Sequence, residues 1–224
     1  MADGPNKPVL SLLLSCLAMT MAEEGSRDSL KYKLTGSDDA IGSWGHEYVR
    51  NLSGEIKAEY LERGSPAKED CTDLMKLVDE IIPFNIEANA EPEACDLLME
   101  VDRLPDILQF ADDSNYVRIG LYLQSCASYL AEPDDTAVLQ VACTMYRQVK
   151  QYPEAMRMAL SMPNDGKPLK GIGEVPSWLT DENAEALRGA PCMRNVLEDK
   201  ACRYCKPTPK PQKADAGAAA SDAQ

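Results

Sequence analysis

Cys202-Arg203-Tyr204-Cys205, with Cys192 ten residues before it, is the arrangement in this chain best spaced for chemistry. A Cys-x-x-Cys pair can hold zinc through its thiolates or cycle as a dithiol. A closed zinc site takes four ligands, however, and no histidine accompanies these three cysteines. A redox pair would also need a strand-to-helix turn that this stretch lacks. Cys192, Cys202 and Cys205 are therefore the metal candidates, read here as incidental thiols. The single histidine, His46, stands in Gly45-His46-Glu47 like the start of a zincin helix, but position 50 is arginine, so the second ligand is missing. A Cys/His nucleophile pair would have to recruit the same His46, and nothing places a cysteine beside it. Gly171-Ile172-Gly173 lacks the third glycine and the preceding strand of a phosphate cradle. Asp112-Asp113 and Asp134-Asp135 read as helix-start charges rather than metal sites, and no carboxylate pair with a defined partner is suggested. Asn51-Leu52-Ser53 fits the glycosylation pattern but falls in the middle of a helical stripe. The reading is of no catalytic residue and no cofactor.

The composition sets the frame for the elements around these residues. The 224 residues suffice for one or two domains with a sizeable core. The net charge of −14, from 37 acidic against 23 basic residues, repels a phosphate backbone and disfavours nucleic acid as a partner. Strand-type alternation is hard to find, and Ala, Leu, Met, Glu and Lys favour helix. Of the eight cysteines, Cys71, Cys95, Cys126 and Cys143 fall on or beside apolar helical stripes, as reduced core thiols of an intracellular protein would. Residues 9–22 are apolar but too short to span a bilayer. The stretch before them carries one Lys against one Asp, a poor signal-peptide start.

Helical spacing then runs down the chain. Residues 1–8 are expected to fray. Residues 9–22 predict a first helix buried on several sides, and 30–34 a helical turn ended by Gly36. Residues 37–63 read as one long helix capped by Ser37, with Trp44, Tyr48, Leu52, Ile56 and Tyr60 lining one side. Cys71, Leu74, Met75, Val78, Ile81 and Ile82 form the next stripe, which Pro83 should kink or stop. Residues 89–104 predict a helix capped by Asn89, with Pro92 in its first turn and Ala94, Leu97, Leu98 and Val101 on one face. Ile119, Tyr122, Leu123, Cys126 and Leu130 form another stripe, then Val138, Val141, Ala142, Met145 and Val149. A last helix, 153–162, turns Ala155, Met156, Ala159 and Leu160 inward. Short connections force neighbours antiparallel, so the expected fold is all-α, an α-solenoid of stacked antiparallel helix pairs. The expected division is a flexible start at 1–8, a solenoid at 9–162, a divergent Pro/Gly loop with short helices at 163–205, and a disordered Lys/Pro/Ala tail at 206–224.

Several strings together carry a resemblance. They are SCLAMTM at 15–21, LKYKLTGS at 30–37, SWGHEYVRNLSGEI at 43–56, NAEPEACDLLMEVD at 89–102, YLQSCASYLAEPDDTAVL at 122–139 and YPEAMRMAL at 152–160. In this order and spacing the chain resembles, from about residue 10 to 162, the N-terminal helical region of the 26S proteasome non-ATPase regulatory subunit 2 family. The resemblance implies a non-enzymatic scaffold of the regulatory-particle base, set against the ATPase ring and acting in ubiquitin-dependent degradation in cytoplasm and nucleus. That family receives ubiquitin-like shuttle factors on a toroid of proteasome/cyclosome repeats. No such repeats occur here, so no ubiquitin or shuttle-factor contact residue is carried over. Beyond residue 162 the chain leaves the family pattern, which is expected of a truncated or divergent short form. The alternative expectation is a stand-alone helical adaptor that is not incorporated in the proteasome.

Overall fold

The computed structural model describes residues 7–21, 25–36, 40–63 and 71–162. The chain divides into two units, Met1–Met162 and Pro163–Gln224, and all described residues belong to the first. They form the helices α1 (Lys7–Met21), α2 (Asp28–Thr35), α3 (His46–Arg63), α4 (Thr72–Glu87), α5 (Glu91–Glu100), α6 (Tyr116–Ala127), α7 (Asp134–Gln148) and α8 (Tyr152–Ser161), with 3₁₀ turns at Ile41–Trp44 and Leu104–Gln109. No strand occurs among the described residues. Each helix packs chiefly on its chain neighbours, and α5 touches α3, α4, α6 and the second 3₁₀ turn. Packing that follows chain order is the arrangement of an all-α solenoid.

Most positions of the predicted stripes of α3, α4, α5 and α7 are buried, whereas in α6 only Ile119 and Leu123 are, with Tyr122 and Cys126 half-buried and Leu130, past the helix end, exposed. Tyr48, Val49, Leu52, Ile56 and Tyr60 of α3 lie inside, as do Leu74, Val78, Ile81 and Ile82 of α4, with Leu77 in addition. Ala94, Leu97 and Leu98 of α5 and Val138, Val141, Ala142 and Met145 of α7 do likewise. In α8, Ala155 and Met156 are buried as expected, joined by Met158.

Four local expectations are corrected. First, α1 is not buried all round. Val9, Leu10, Leu13, Leu17 and Met21 are exposed, Met21 at 81 %, while Ser11, Leu12 and Ser15 face inward. Polar bonding explains the inversion. Ser11 Oγ donates to the Tyr32 carbonyl at 2.7 Å and Ser15 Oγ to the Ser29 carbonyl at 2.6 Å, while the Ser15 and Tyr48 hydroxyls are 2.7 Å apart. A buried hydroxyl with partners on two neighbouring helices fixes which face turns inward. Second, the long helix over 37–63 is interrupted. Gly45 has φ +88°, which separates the Ile41–Trp44 turn from α3 and leaves Trp44 exposed on the turn. Ser37 lies outside the described residues. Third, of the kink or stop expected at Pro83 the stop does not occur, since α4 runs on to Glu87.

Fourth, Asn89 does not cap α5, and that helix ends at Glu100 rather than 104. Asn89 closes α4 instead. It has φ +57°, its N–H bonds to the Ile86 carbonyl at 3.1 Å, and the next N–H, of Ala90, reaches Asn85 at 2.8 Å. Asp102 repeats this geometry after α5 (Asp102 N–H to Met99, Arg103 N–H to Leu98), and Lys150 after α7 (Lys150 N–H to Arg147, Gln151 N–H to Tyr146). These are paired 6→1 and 5→2 closures that satisfy the last carbonyls of each helix. Asn and Asp tolerate the left-handed region better than most residues. One turn geometry used three times turns the chain sharply after α4, α5 and α7.

One helix start is satisfied from a neighbour. No side chain of its own caps α2. Glu55 on α3, itself buried, accepts from the Leu30 N–H at 2.7 Å, and Asn51 Nδ2 holds the same carboxylate at 3.0 Å. Asn51 is thereby engaged within the helical layer, which fits the reading of its glycosylation pattern as chance.

Candidate interaction surface

The structure separates the residues that chemistry would need. His46 is exposed at the first position of α3, its ring edge-on to Phe84 with centroids 5.7 Å apart. Among the described residues no cysteine is hydrogen-bonded to it. Cys16, Cys71, Cys95, Cys126 and Cys143 are all free thiols. Burial pushes the Cys95 thiol up to about 12 and raises Cys16 and Cys143 above their ordinary value. Thiols held in this direction stay protonated at neutral pH and are poor nucleophiles. Among the described residues no three His, Cys, Asp or Glu side chains are grouped to hold a metal. Cys192, Cys202 and Cys205 lie outside the described residues. No described helix is long and apolar enough to cross a membrane.

What the fold does build is relief on its surface. One cleft, of about 430 Å³, lies between α3 and α5. His46, Arg50 and Lys57 stand on one wall, Glu93, Asp96 and Glu100 on the other. The walls are bridged, since Lys57 pairs with Glu100. A larger groove, of about 680 Å³, opens between the Leu104–Gln109 turn and α7. The sharp turn at Asp102 sets it, because it lays the 3₁₀ segment beside α7 rather than prolonging α5. Leu104, Val138 and Val141 form its floor. The sequence placed Val138 and Val141 in the core stripe, and they are buried; it gave no sign that they also underlie a surface groove.

Polar ties hold α5 and α6 together beside this relief. Glu91, only 1 % exposed, receives Arg118 Nε at 3.0 Å, and the same guanidinium reaches the Asn89 side chain at 3.1 Å and the Ser114 carbonyl at 3.3 Å. Tyr122 donates to Asp96 across the same interface. At the start of α6, Asn115 bonds back to Phe110 and Asp112 rather than capping the helix, while Asp112 accepts from the Ser114 and Asn115 N–H groups.

The Glu91 tie predicts a pH response. The Arg118 hydrogen bond holds the Glu91 carboxyl below the usual carboxylate range. The folded state therefore takes up this proton less readily than the unfolded chain. Its stabilisation is complete above the unfolded value of about 4.3 and is lost as pH falls through the lower folded value. Glu91→Gln removes that dependence. Urea midpoints measured at pH 6 and pH 3 should fall less between the two for Glu91→Gln than for wild type; an equal fall would refute the assignment.

Comparison with known proteins completes the picture. The family model described as the RPN1 N-terminal domain matches residues 1–175. The chain is 49 % identical over 160 residues to the 26S proteasome non-ATPase regulatory subunit 2 of Dictyostelium discoideum, covering 71 % of this chain and 18 % of that protein. It is 47 % identical over 164 residues to homolog A of that subunit from Arabidopsis thaliana, covering 73 % and 18 %. The 26S proteasome regulatory subunit rpn-1 of Neurospora crassa is 35 % identical over 197 residues, covering 87 % and 20 %. The chain thus spans about a fifth of the length of the curated relatives it matches.

Proposed function

Because this chain belongs to the family of the RPN1 N-terminal domain, we propose that it is a non-catalytic scaffold segment of the proteasome regulatory-particle base. Its relatives are proteasome regulatory subunits. The scaffold role is assigned to residues 9–162, with the ATPase ring as partner and cytoplasm and nucleus as the place of action. The observation that carries the reading is the 49 % identity over 160 residues. The thiols of Cys16, Cys95 and Cys143, raised by burial, support the non-catalytic part, since none of the three is an activated nucleophile. Ubiquitin and shuttle-factor binding is not assigned.

Tagged full chain expressed in eukaryotic cells should co-sediment with 26S particles and bring down ATPase-ring subunits. A clean monomeric preparation without them would overturn the proposal. One observation favours a second reading, a stand-alone helical adaptor: the helices pack chiefly on their chain neighbours, so their described contacts are satisfied within this segment. The same co-sedimentation separates the two, since the adaptor would not sediment with the 26S particles.

A further inference from the structure

The geometry points to the groove between the Leu104–Gln109 turn and α7 as a docking site for a basic amphipathic helix of another protein. This deepens the scaffold reading, on which it rests, by naming the chemistry of a partner. The floor is aliphatic, made by Leu104, Val138 and Val141, with Leu108 on one side and the exposed Ala137 at the lip. About 680 Å³ is room for several aliphatic side chains, and the polar side chains of the lining, Gln140 and Thr144 with the carboxylates of Glu100, Asp102 and Asp134, include no cation that would hold an anionic ligand.

The charged residues of the lining are Glu100, Asp102 and Asp134, all of one sign. Lys57 neutralises Glu100. Among the described residues Asp102 accepts only the neutral Tyr60 hydroxyl, at 3.3 Å, and no ion pair engages Asp134. Two carboxylates without an ion-pair partner among the described residues therefore flank an apolar trough. That arrangement rewards apolar anchors on one face of a helix with Lys or Arg beside them. The same charges disfavour the other occupants. A second copy of this chain brings a net charge of −14, and an anionic lipid surface or nucleic acid brings phosphates.

The test uses full-length chain and three labelled helical peptides, read by fluorescence anisotropy. One carries Leu on one face and Lys on the other; the second replaces Lys by Glu; the third keeps Lys and replaces Leu by Ser. Only the first should bind well, and raising salt should weaken it. Asp102→Asn with Asp134→Lys should weaken it about tenfold, and Ala137→Trp, which fills the trough from an exposed position, about tenfold or more. Circular dichroism verifies that both variants remain folded. Equal binding of the Ser peptide would mean unspecific charge attraction, and equal binding of the Glu peptide would remove the acidic rim from the argument. No binding, or binding that neither variant weakens, would likewise overturn the inference. Sedimentation of the wild-type chain with 26S particles keeps the two proposals apart. Incorporation without peptide binding sinks the groove alone; peptide binding without incorporation of wild type sinks the proteasome role alone.

Discussion

Leu98→Ala should cost about 3 kcal/mol of folding stability, within the ~2–5 kcal/mol found for Leu→Ala at fully buried sites. Leu98 is 1 % exposed and stands on α5, the helix that touches α3, α4, α6 and the 3₁₀ turn. Removing its isobutyl group loses the transfer free energy and leaves a cavity among elements already held by the turns at Asn89 and Asp102, which limits collapse. A domain of this size carries roughly 5–15 kcal/mol in all, so the loss is a large share. Thermal unfolding should shift down by about 10 °C. Leu121→Ala is the matched control, the same truncation on a side chain 60 % exposed on the neighbouring helix α6. It should stay within about 0.5 kcal/mol of wild type. Equal midpoints for the two variants would show that α5 is not the packing centre the fold requires.

How far the sequence carried this picture depended on what sets each feature. The stripes of α3, α4, α5 and α7 were legible because they follow from local spacing, and spacing survives any arrangement of partners. The orientation of α1 was not. An apolar run of leucines carries no clean face, and the choice was made by Ser11 and Ser15 bonding to α2 and to Tyr48, residues distant in the chain. The start of α2 was hidden for the same reason, since Glu55 on α3 supplies its acceptor.

Asn89 shows a different failure. Asn before a helix and Asn after one look alike in sequence, and here the second role won, with Asp102 and Lys150 in matching places. A usable signal was the recurrence of a residue tolerant of positive φ shortly before a proline, Asn89 before Pro92 and Asp102 before Pro105, whereas Lys150 before Pro153 shares the geometry without the residue type that signals it. The larger groove was the least legible feature. It exists because Leu104 and Val141, far apart in the chain, share a floor, and no periodicity reports such a meeting. The metal candidates Cys192, Cys202 and Cys205 lie outside the described residues.

Gly120 offers a test in which two physical effects predict opposite signs. Helix propensity alone says that Gly120→Ala, inside α6, should stabilise by about 0.5–1 kcal/mol, as alanine does for glycine in an open helix. The packing says otherwise. A Cβ at this position would lie 2.0 Å from the Tyr146 hydroxyl oxygen, 2.4 Å from Cζ and 3.0 Å from Cε2. Tyr146 is buried on α7 and meets Tyr116 edge-on with ring centroids 6.1 Å apart, so its ring cannot swing aside without losing contacts. Overpacking of this kind costs ~1–3 kcal/mol and outweighs the propensity gain. Gly120→Ala should therefore destabilise by about 1–2 kcal/mol. Gly54→Ala, on α3 with nothing within 4 Å of the added carbon, should stabilise by a few tenths to about 1 kcal/mol. Pairing Gly120→Ala with Tyr146→Leu closes a double-mutant cycle. The glycine substitution should cost much less once the ring is gone, a coupling of about 1 kcal/mol or more. If Gly120→Ala raises the urea midpoint as Gly54→Ala does, α6 and α7 do not approach each other through this glycine, and the α7 wall of the groove stands elsewhere.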